Sequence, residues 1–162
     1  MSHALIPGSF DPMTLGHLNI VKRALKEYDK VTVAVMINDA KAYAHTIEER
    51  AEMARLTVAG LANVQVITDR GMLVDLFDRI GATAIVKGVR NEKDRAYEQA
   101  MADYNLAKNP RAKTVFYEAD PAFGDLSSTA VREILKNGEC PRGLLAPAVL
   151  DYLAARGECP FR

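Results

Sequence analysis

The sequence has no excess of charge of either sign, because its 21 lysine and arginine residues are balanced by 21 aspartate and glutamate residues. A net charge of zero leaves no overall field that would hold a polyanion such as DNA or an anionic membrane. We therefore expect neither a nucleic acid nor a membrane as a partner. Any recognition of phosphate must come from a local site.

Long apolar runs are also missing from the chain. No stretch approaches the roughly 20 apolar residues of a membrane-spanning helix. Residues 1–7 show no basic segment followed by an apolar one, which is the pattern of a secretory signal. We expect the protein to stay in the cytoplasm.

Cysteine is scarce. The two cysteines, Cys140 and Cys159, each stand in a Gly-Glu-Cys-Pro tetrapeptide, with no Cys-x-x-Cys pair and no histidine close by in the sequence. This pattern falls short of the ligand spacing of a zinc site, and we predict no metal site built from side chains. We expect both cysteines to be reduced thiols with minor structural roles.

What the chain does contain is an alternation of short apolar strands with longer helical patterns. This alternation predicts an α/β fold, a single Rossmann-like, doubly wound domain over residues 1–162 with a five-stranded parallel sheet and a C-terminal helix. The predicted strands are Ala4–Pro7, Val31–Met36, Val64–Thr68, Ala84–Lys87 and Thr114–Tyr117. The predicted helices are Gly16–Tyr28, Ile47–Ala59, Met72–Ile80, Arg95–Lys108, Ser128–Asn137 and Pro147–Arg156.

Three boundary signals support these elements. Thr46 and Glu49 form a capping box at the start of the second helix, and Gly81 follows the third helix as a left-handed cap would. Asp94 is predicted to cap the start of the fourth helix. No linker rich in proline, glycine or serine divides the chain, which favours one domain.

The first candidate site is the loop after the first strand, because open parallel sheets bind ligands beyond the carboxyl ends of their strands. Residues 7–17 read Pro-Gly-Ser-Phe-Asp-Pro-Met-Thr-Leu-Gly-His, and a helix start there would favour a phosphate. Gly8 and Gly16 would let the backbone approach it. Neither the dinucleotide fingerprint nor a P-loop is present. Taken alone, the pattern also fits two turn glycines and a histidine, His17, that serves only the helix start.

The second candidate site follows the fourth strand. Lys87 and Arg90 stand on either side of Gly88 and Val89, and Glu98 lies on the next helix. Two cations around a glycine suit a polyphosphate. The alternative is that both are solvated loop charges.

The third candidate site follows the fifth strand, in the segment from Phe123 to Arg132. Ser127, Ser128 and Thr129 are consecutive hydroxyl residues at a helix start. Such residues can cap the helix and hold phosphate oxygens. Three in a row are more than capping requires.

Together these segments resemble the nucleotidyltransferase superfamily. Residues 8–12, Gly-Ser-Phe-Asp-Pro, and residues 14–17, Thr-Leu-Gly-His, are similar to its Gly-Thr-Phe-Asp-Pro and (His/Thr)-x-Gly-His signatures. The threonine form resembles the phosphopantetheine adenylyltransferase branch rather than the nicotinate mononucleotide branch. The resemblance covers nearly the whole chain. The chain departs from the family pattern at Lys87, where the family has arginine, at Asp39, where it has proline, and mildly at Leu126 and Thr129.

The resemblance implies transfer of an adenylyl group from ATP to 4'-phosphopantetheine, giving dephospho-coenzyme A and pyrophosphate by in-line attack of the acceptor phosphate on the α-phosphorus. It also implies His17 as the catalytic residue, Mg²⁺ carried with ATP, and a homo-oligomer, usually a hexamer. The ATP contacts that it implies are Ser9, Phe10, His17, Gly88, Val89, Arg90, Glu98, Phe123, Gly124, Asp125, Leu126, Ser127, Ser128 and Thr129. The acceptor contacts that it implies are Ser9, Lys41, Leu73 and Lys87.

Several alternatives stay open at this point. Without the resemblance, Lys41 is a surface lysine and Leu73 an ordinary core residue. The acceptor could instead be nicotinate mononucleotide or, with CTP, glycerol 3-phosphate, and the protein could be a nucleotide-sensing module without turnover. His3 and His45 match nothing functional, and we expect them at solvent or in local structure.

Overall fold

Five parallel strands form one sheet with helices on both faces, in a computed structural model that describes residues 1–160. The strands are β1 (His3–Gly8), β2 (Lys30–Met36), β3 (Val64–Asp69), β4 (Ala84–Val89) and β5 (Thr114–Glu118). The helices are α1 (Leu15–Leu25), α2 (Ile47–Val58), α3 (Leu73–Arg79), α4 (Glu92–Lys108), α5 (Ser128–Lys136) and α6 (Pro147–Ala155), with a short 3₁₀ helix over Pro121–Phe123. The predicted domain also includes Phe161 and Arg162, which lie outside the described residues.

The strand order, β3-β2-β1-β4-β5, places the point of reversal between β1 and β4. The chain winds outward from β1 to β3 and then returns to the other side of β1 with β4 and β5. Within the described residues, β1 pairs with β2 from His3 to Gly8 but with β4 only at Ala4 and Leu5. The two strands therefore separate toward their carboxyl ends. A doubly wound sheet binds its ligands at such a crevice.

Alternation along β1 assigns its side chains to the two faces of the sheet. Ala4 and Ile6 pack in the cluster that includes α1 and α2, and Leu5 packs on the opposite face against α3. This is the period of two that a strand buried on both faces requires. Because β1 is held on both faces, the loop that follows it starts from a rigid position.

A third cluster joins the C-terminal helices to α2. Val131 of α5 and Leu150 and Leu153 of α6 pack with Met53 of α2. Within residues 1–160, no helix combines the length and the apolar character needed to cross a membrane.

Two of the predicted helix caps were confirmed. Thr46 and Glu49 form the predicted capping box, and Gly81 has a left-handed φ of 72° after α3. The prediction that Asp94 caps α4 was wrong. The helix begins at Glu92, and the side chain of Asn91 accepts a hydrogen bond from the backbone N–H of Asp94. Asparagine and aspartate are both favoured at N-caps. The path of the chain after β4 places Asn91, and not Asp94, at the start of the helix.

The end of β4 also differs from the prediction. The strand continues past Lys87, because Gly88 pairs with Tyr117 and Val89 with Glu118 of β5. Gly88 and Val89 therefore belong to the strand and not to a loop. Pairing with a neighbouring strand is a long-range contact that local composition does not reveal.

Candidate functional site

The position of His17 is set by the start of α1. Thr14 is the N-cap, and its hydroxyl accepts a hydrogen bond from the backbone N–H of His17 at 3.3 Å. In return, Nδ1 of His17 accepts a hydrogen bond from the backbone N–H of Thr14 at 3.0 Å. Since Nδ1 is the acceptor, the neutral ring carries its proton on Nε2. The ring is thus an oriented hydrogen-bond donor in the cleft described below.

The electrostatic surroundings keep His17 neutral. Burial, and after it the charges of Lys87 and Arg90, lower the pKa of His17 from 6.5 to about 4. A neutral imidazole donates a hydrogen bond near pH 7 without changing its protonation state. The same two cations make the cleft attractive to an anion.

Phe10, in the loop after β1, has an uncommon backbone conformation and packs against His17. Its φ is 51°, and its ring meets the ring of His17 edge to face at a centroid distance of 5.0 Å. A Cβ atom on Gly8 would lie 2.9 Å from the Phe10 ring, so only glycine fits there. Gly8 also lines the cleft described below, and the expectation that it lets the backbone approach a phosphate stays a prediction.

Arg50, which no sequence pattern indicated, connects the loop after β1 to the end of β2. Its side chain is 1% exposed and donates hydrogen bonds to the carbonyl oxygens of Ser9 at 2.7 Å and Met36 at 3.0 Å. A third bond goes to the carbonyl of His45, and the guanidinium lies 4.0 Å from the ring centre of Tyr43. Arg50 thereby holds the loop after β1 beside the end of β2. A charged residue in an amphipathic helix gives no sequence signal for such a role.

Two ion pairs line the other side of the crevice. Nζ of Lys87 lies 3.5 Å from a carboxylate oxygen of Glu98, and Nε of Arg90 lies 3.1 Å from Asp94. Each pair connects the segment at the carboxyl end of β4 to the first half of α4. The predicted cations are therefore in the cleft, and each is held by a carboxylate on the next helix.

The three consecutive hydroxyl residues at α5 have three separate roles. Ser127 caps the helix by accepting from the backbone N–H of Ala130 at 3.0 Å. Ser128 donates to the carbonyl of Pro12 at 2.7 Å. Thr129 accepts from Arg132, whose guanidinium also donates to the carbonyl of Asp11 at 2.8 Å. The start of α5 is thus fastened to the loop after β1.

These segments enclose a cleft of about 350 Å³ at the separated ends of β1 and β4. Most of the residues expected at ATP line it, while Val89, Gly124 and Asp125 lie outside its lining. The predicted residues in the lining are Ser9, Phe10, His17, Lys41, Lys87, Gly88, Arg90, Glu98, Phe123, Leu126, Ser127, Ser128 and Thr129.

A second cavity of about 440 Å³ adjoins the first between α3 and α4. Its wall is largely apolar and includes Met36, Met72 and Leu73. Four residues expected to contact substrate line both cavities, namely Ser9, Lys41, Lys87 and Glu98. The two cavities therefore meet at a polar junction that contains two lysines.

The remaining histidines are buried, so the expectation of local structure was confirmed for them and the alternative of solvent exposure was wrong. His3 lies 2.6 Å from the hydroxyl of Thr32. His45 lies between two carboxylates, 2.9 Å from Asp11 and 2.6 Å from Glu158. The hydrogen bond with Asp11, and also the one with Glu158, raises the pKa of His45 above 6.5 against the opposing effect of burial.

Comparison with known proteins agrees with the resemblance drawn from the motifs. Residues 5–134 match the family model described as Cytidylyltransferase-like. The chain is 41% identical to the phosphopantetheine adenylyltransferase of Limosilactobacillus fermentum, over 98% of this chain and 91% of the relative. It is 40% identical to those of Caldanaerobacter subterraneus, over 96% and 95% of the two chains, and Heliobacterium modesticaldum, over the full length of both. The chain therefore belongs to the cytidylyltransferase-like nucleotidyltransferases, within the group of the phosphopantetheine adenylyltransferases.

Proposed function

We propose that the protein transfers the adenylyl group of ATP to 4'-phosphopantetheine and releases pyrophosphate and dephospho-coenzyme A. The observation that carries this proposal is the junction of the two cavities at Ser9, Lys41 and Lys87. A polar cleft on one side suits a nucleotide, and an apolar cavity on the other suits a long pantetheine arm. The named activity of the relatives supports the same substrates.

The reaction needs positioning and charge stabilisation more than proton transfer. An oxygen of the acceptor phosphate attacks the α-phosphorus in line with the departing pyrophosphate, and a phosphate dianion is already nucleophilic near neutral pH. We assign the acceptor phosphate to Lys41 and Lys87 at the junction. Holding both reactants in one geometry removes much of the entropic cost of the encounter.

His17 is the group that we assign to the transition state. Its Nε2–H is free to donate because Nδ1 is engaged by Thr14, and its low pKa keeps the ring neutral. A preorganised donor aimed at an α-phosphate oxygen stabilises the charge that builds on it. Lys87 and Arg90 add positive charge around the same oxygens.

We propose that ATP enters as its Mg²⁺ complex, with the metal held by the phosphates. Within residues 1–160, no group of three or more histidine, cysteine, aspartate or glutamate side chains is placed to hold a metal ion. Of the carboxylates that line the cleft, Glu98 pairs with Lys87, Asp94 with Arg90 and Asp11 with His45. The protein's cations and the start of α5 would contact the phosphate oxygens from the other side.

A pyrophosphate-release assay with a panel of acceptors tests the assignment. MgATP with 4'-phosphopantetheine should give pyrophosphate and dephospho-coenzyme A, and nicotinate mononucleotide should not react. CTP with glycerol 3-phosphate forms a third arm, and a reaction without the protein provides the background rate. Turnover of nicotinate mononucleotide alone would overturn the acceptor, and ATP binding without turnover of any acceptor would favour a sensing module.

We further propose that the protein is a cytoplasmic homo-oligomer, a hexamer by family resemblance. Helix α4 exposes Tyr97, Met101 and Tyr104, which supports contact with another copy. Native mass spectrometry measures the number of subunits directly. Cell fractionation tests the location.

A further inference from the structure

Two identical tetrapeptides follow two neighbouring helices. Gly138 follows α5 and Gly157 follows α6, with left-handed φ values of 78° and 74°. After each glycine, the next N–H bonds back into the helix, from Glu139 to Ile134 and from Glu158 to Leu153. Both helices thus end in the same glycine cap, and the cysteine two residues after each glycine occupies the same position relative to its helix.

The repeated cap brings the two thiols into contact. The Sγ atoms of Cys140 and Cys159 are 3.4 Å apart although the residues are 19 positions apart in the chain. Both belong to the apolar cluster that joins α2, α5 and α6. Cys159 is 7% exposed, whereas Cys140 is only partly buried and can be reached from solvent.

We propose that Cys140 and Cys159 are a reversible oxidation site, at which a small-molecule disulfide such as oxidised glutathione closes an intramolecular disulfide between the ends of α5 and α6. The Cys140 thiolate attacks one sulfur of the oxidant and expels one glutathione thiolate, which takes up a proton. The Cys159 sulfur then attacks Cys140 in the mixed disulfide and expels the second glutathione. In total, two protein thiols are oxidised and one glutathione disulfide is reduced to two thiols.

The disulfide would secure a segment that is already connected to the nucleotide cleft. Glu158, the residue before Cys159, contacts His45, and His45 contacts Asp11 in the loop after β1. Arg156 pairs with Glu49 of α2 in the same segment. The two sulfurs are already in contact in the folded protein, so forming the disulfide preserves the contacts between this segment and the cleft. We therefore expect a stabilising clamp that leaves turnover intact.

Thiol counting on the full chain tests the site independently of the proposed function. The reduced protein is equilibrated with buffers of increasing oxidised-to-reduced glutathione ratio, quenched with iodoacetamide and weighed by mass spectrometry. We expect a species without alkyl groups and without glutathione. Its tryptic digest should link residues 137–142 to residues 157–162. Closing the loop should raise Tm by about 5–10 °C and leave kcat within about two-fold.

Cys140→Ser is the matched control, because the partly exposed position tolerates a hydroxyl and the variant keeps Cys159. It should show neither the linked peptides nor the rise in Tm under the same buffers. Cys159→Ala removes the other partner and should behave in the same way. Alkylation of both thiols in the most oxidising buffer, a mixed glutathione disulfide that persists at equilibrium, or a disulfide between two chains would each overturn the proposal.

Discussion

Replacing His17 by alanine should slow adenylyl transfer by about 10²–10³ in kcat, while the Kd for ATP changes by no more than a few-fold. The reason lies in when the hydrogen bond matters. A neutral donor on Nε2 interacts modestly with the ground-state α-phosphate and more strongly as charge builds on its oxygen. The substitution should therefore weaken ATP binding only slightly. It should remove the stabilisation that the His17 hydrogen bond gives to the transition state.

The structure supports a magnitude in that range. The ring is held by Thr14 at 3.0 Å on Nδ1 and by Phe10 at a ring-centre distance of 5.0 Å, so the donor is preorganised. Loss of one preorganised donor to a developing oxyanion costs about 2.7–4 kcal/mol. The cations Lys87 and Arg90 remain, as would the proposed Mg²⁺ of the nucleotide, so a measurable residual rate is expected.

The assay combines pyrophosphate release under saturating substrates with calorimetric binding of a non-hydrolysable ATP analogue. His17→Gln and His17→Lys test the role further, because each can donate a hydrogen bond but neither shuttles a proton near pH 7. Either should recover part of the loss if it reaches the same oxygen. With a pKa of about 4 for His17, the ratio of wild-type to His17→Gln kcat should stay constant around neutral pH.

Two results would refute this reasoning. An equal loss of ATP affinity and turnover in His17→Ala would make His17 a ground-state binding residue. A pKa near neutrality in the wild-type kcat profile that disappears in His17→Gln would make it an acid or base.

Substitutions at three further residues, Lys87, Arg50 and His45, test the site and the contacts that support it. Lys87→Ala should lower kcat/KM for 4'-phosphopantetheine by about 1.5–3 kcal/mol in transition-state terms while Lys87→Arg retains substantial activity, and wild-type efficiency in Lys87→Ala would remove it from the acceptor site. Arg50→Met should lower the free energy of unfolding by about 2–4 kcal/mol in urea titrations, because three buried carbonyls lose their donor, whereas the exposed Arg55→Met should change little; similar losses in both would contradict the role of Arg50. His45 has a raised pKa, so its stabilising contribution is fully present below pH 6.5 and is lost as the pH rises through its folded value. The stability difference between wild type and His45→Gln should therefore shrink as the pH rises above 6.5, and a constant difference would show that His45 is not charged in the folded state.

Much of the fold and the identity of the site segments was predictable from the sequence, because the signals are local. Buried strands and helices differ in period, Thr46 with Glu49 makes a cap within one turn, and Gly81 suits a left-handed turn whatever surrounds it. The motifs around Ser9 to His17 could likewise be read from consecutive residues, and they led to the correct family.

Tertiary structure alone decided the features that depend on residues distant in the chain. The neutral state of His17 comes from its burial and from Lys87 and Arg90, which stand some seventy positions later. Arg50 supports the site because the alignment of β1 and β2 places the carbonyl oxygens of Ser9 and Met36 beside it. The choice of Asn91 over Asp94 as the cap, the extension of β4, and the contact of Cys140 with Cys159 have the same physical origin. Hydrogen bonds, burial and electrostatic interactions depend on which residues are close in space. A sequence pattern reveals these interactions only where the residues are also close along the chain.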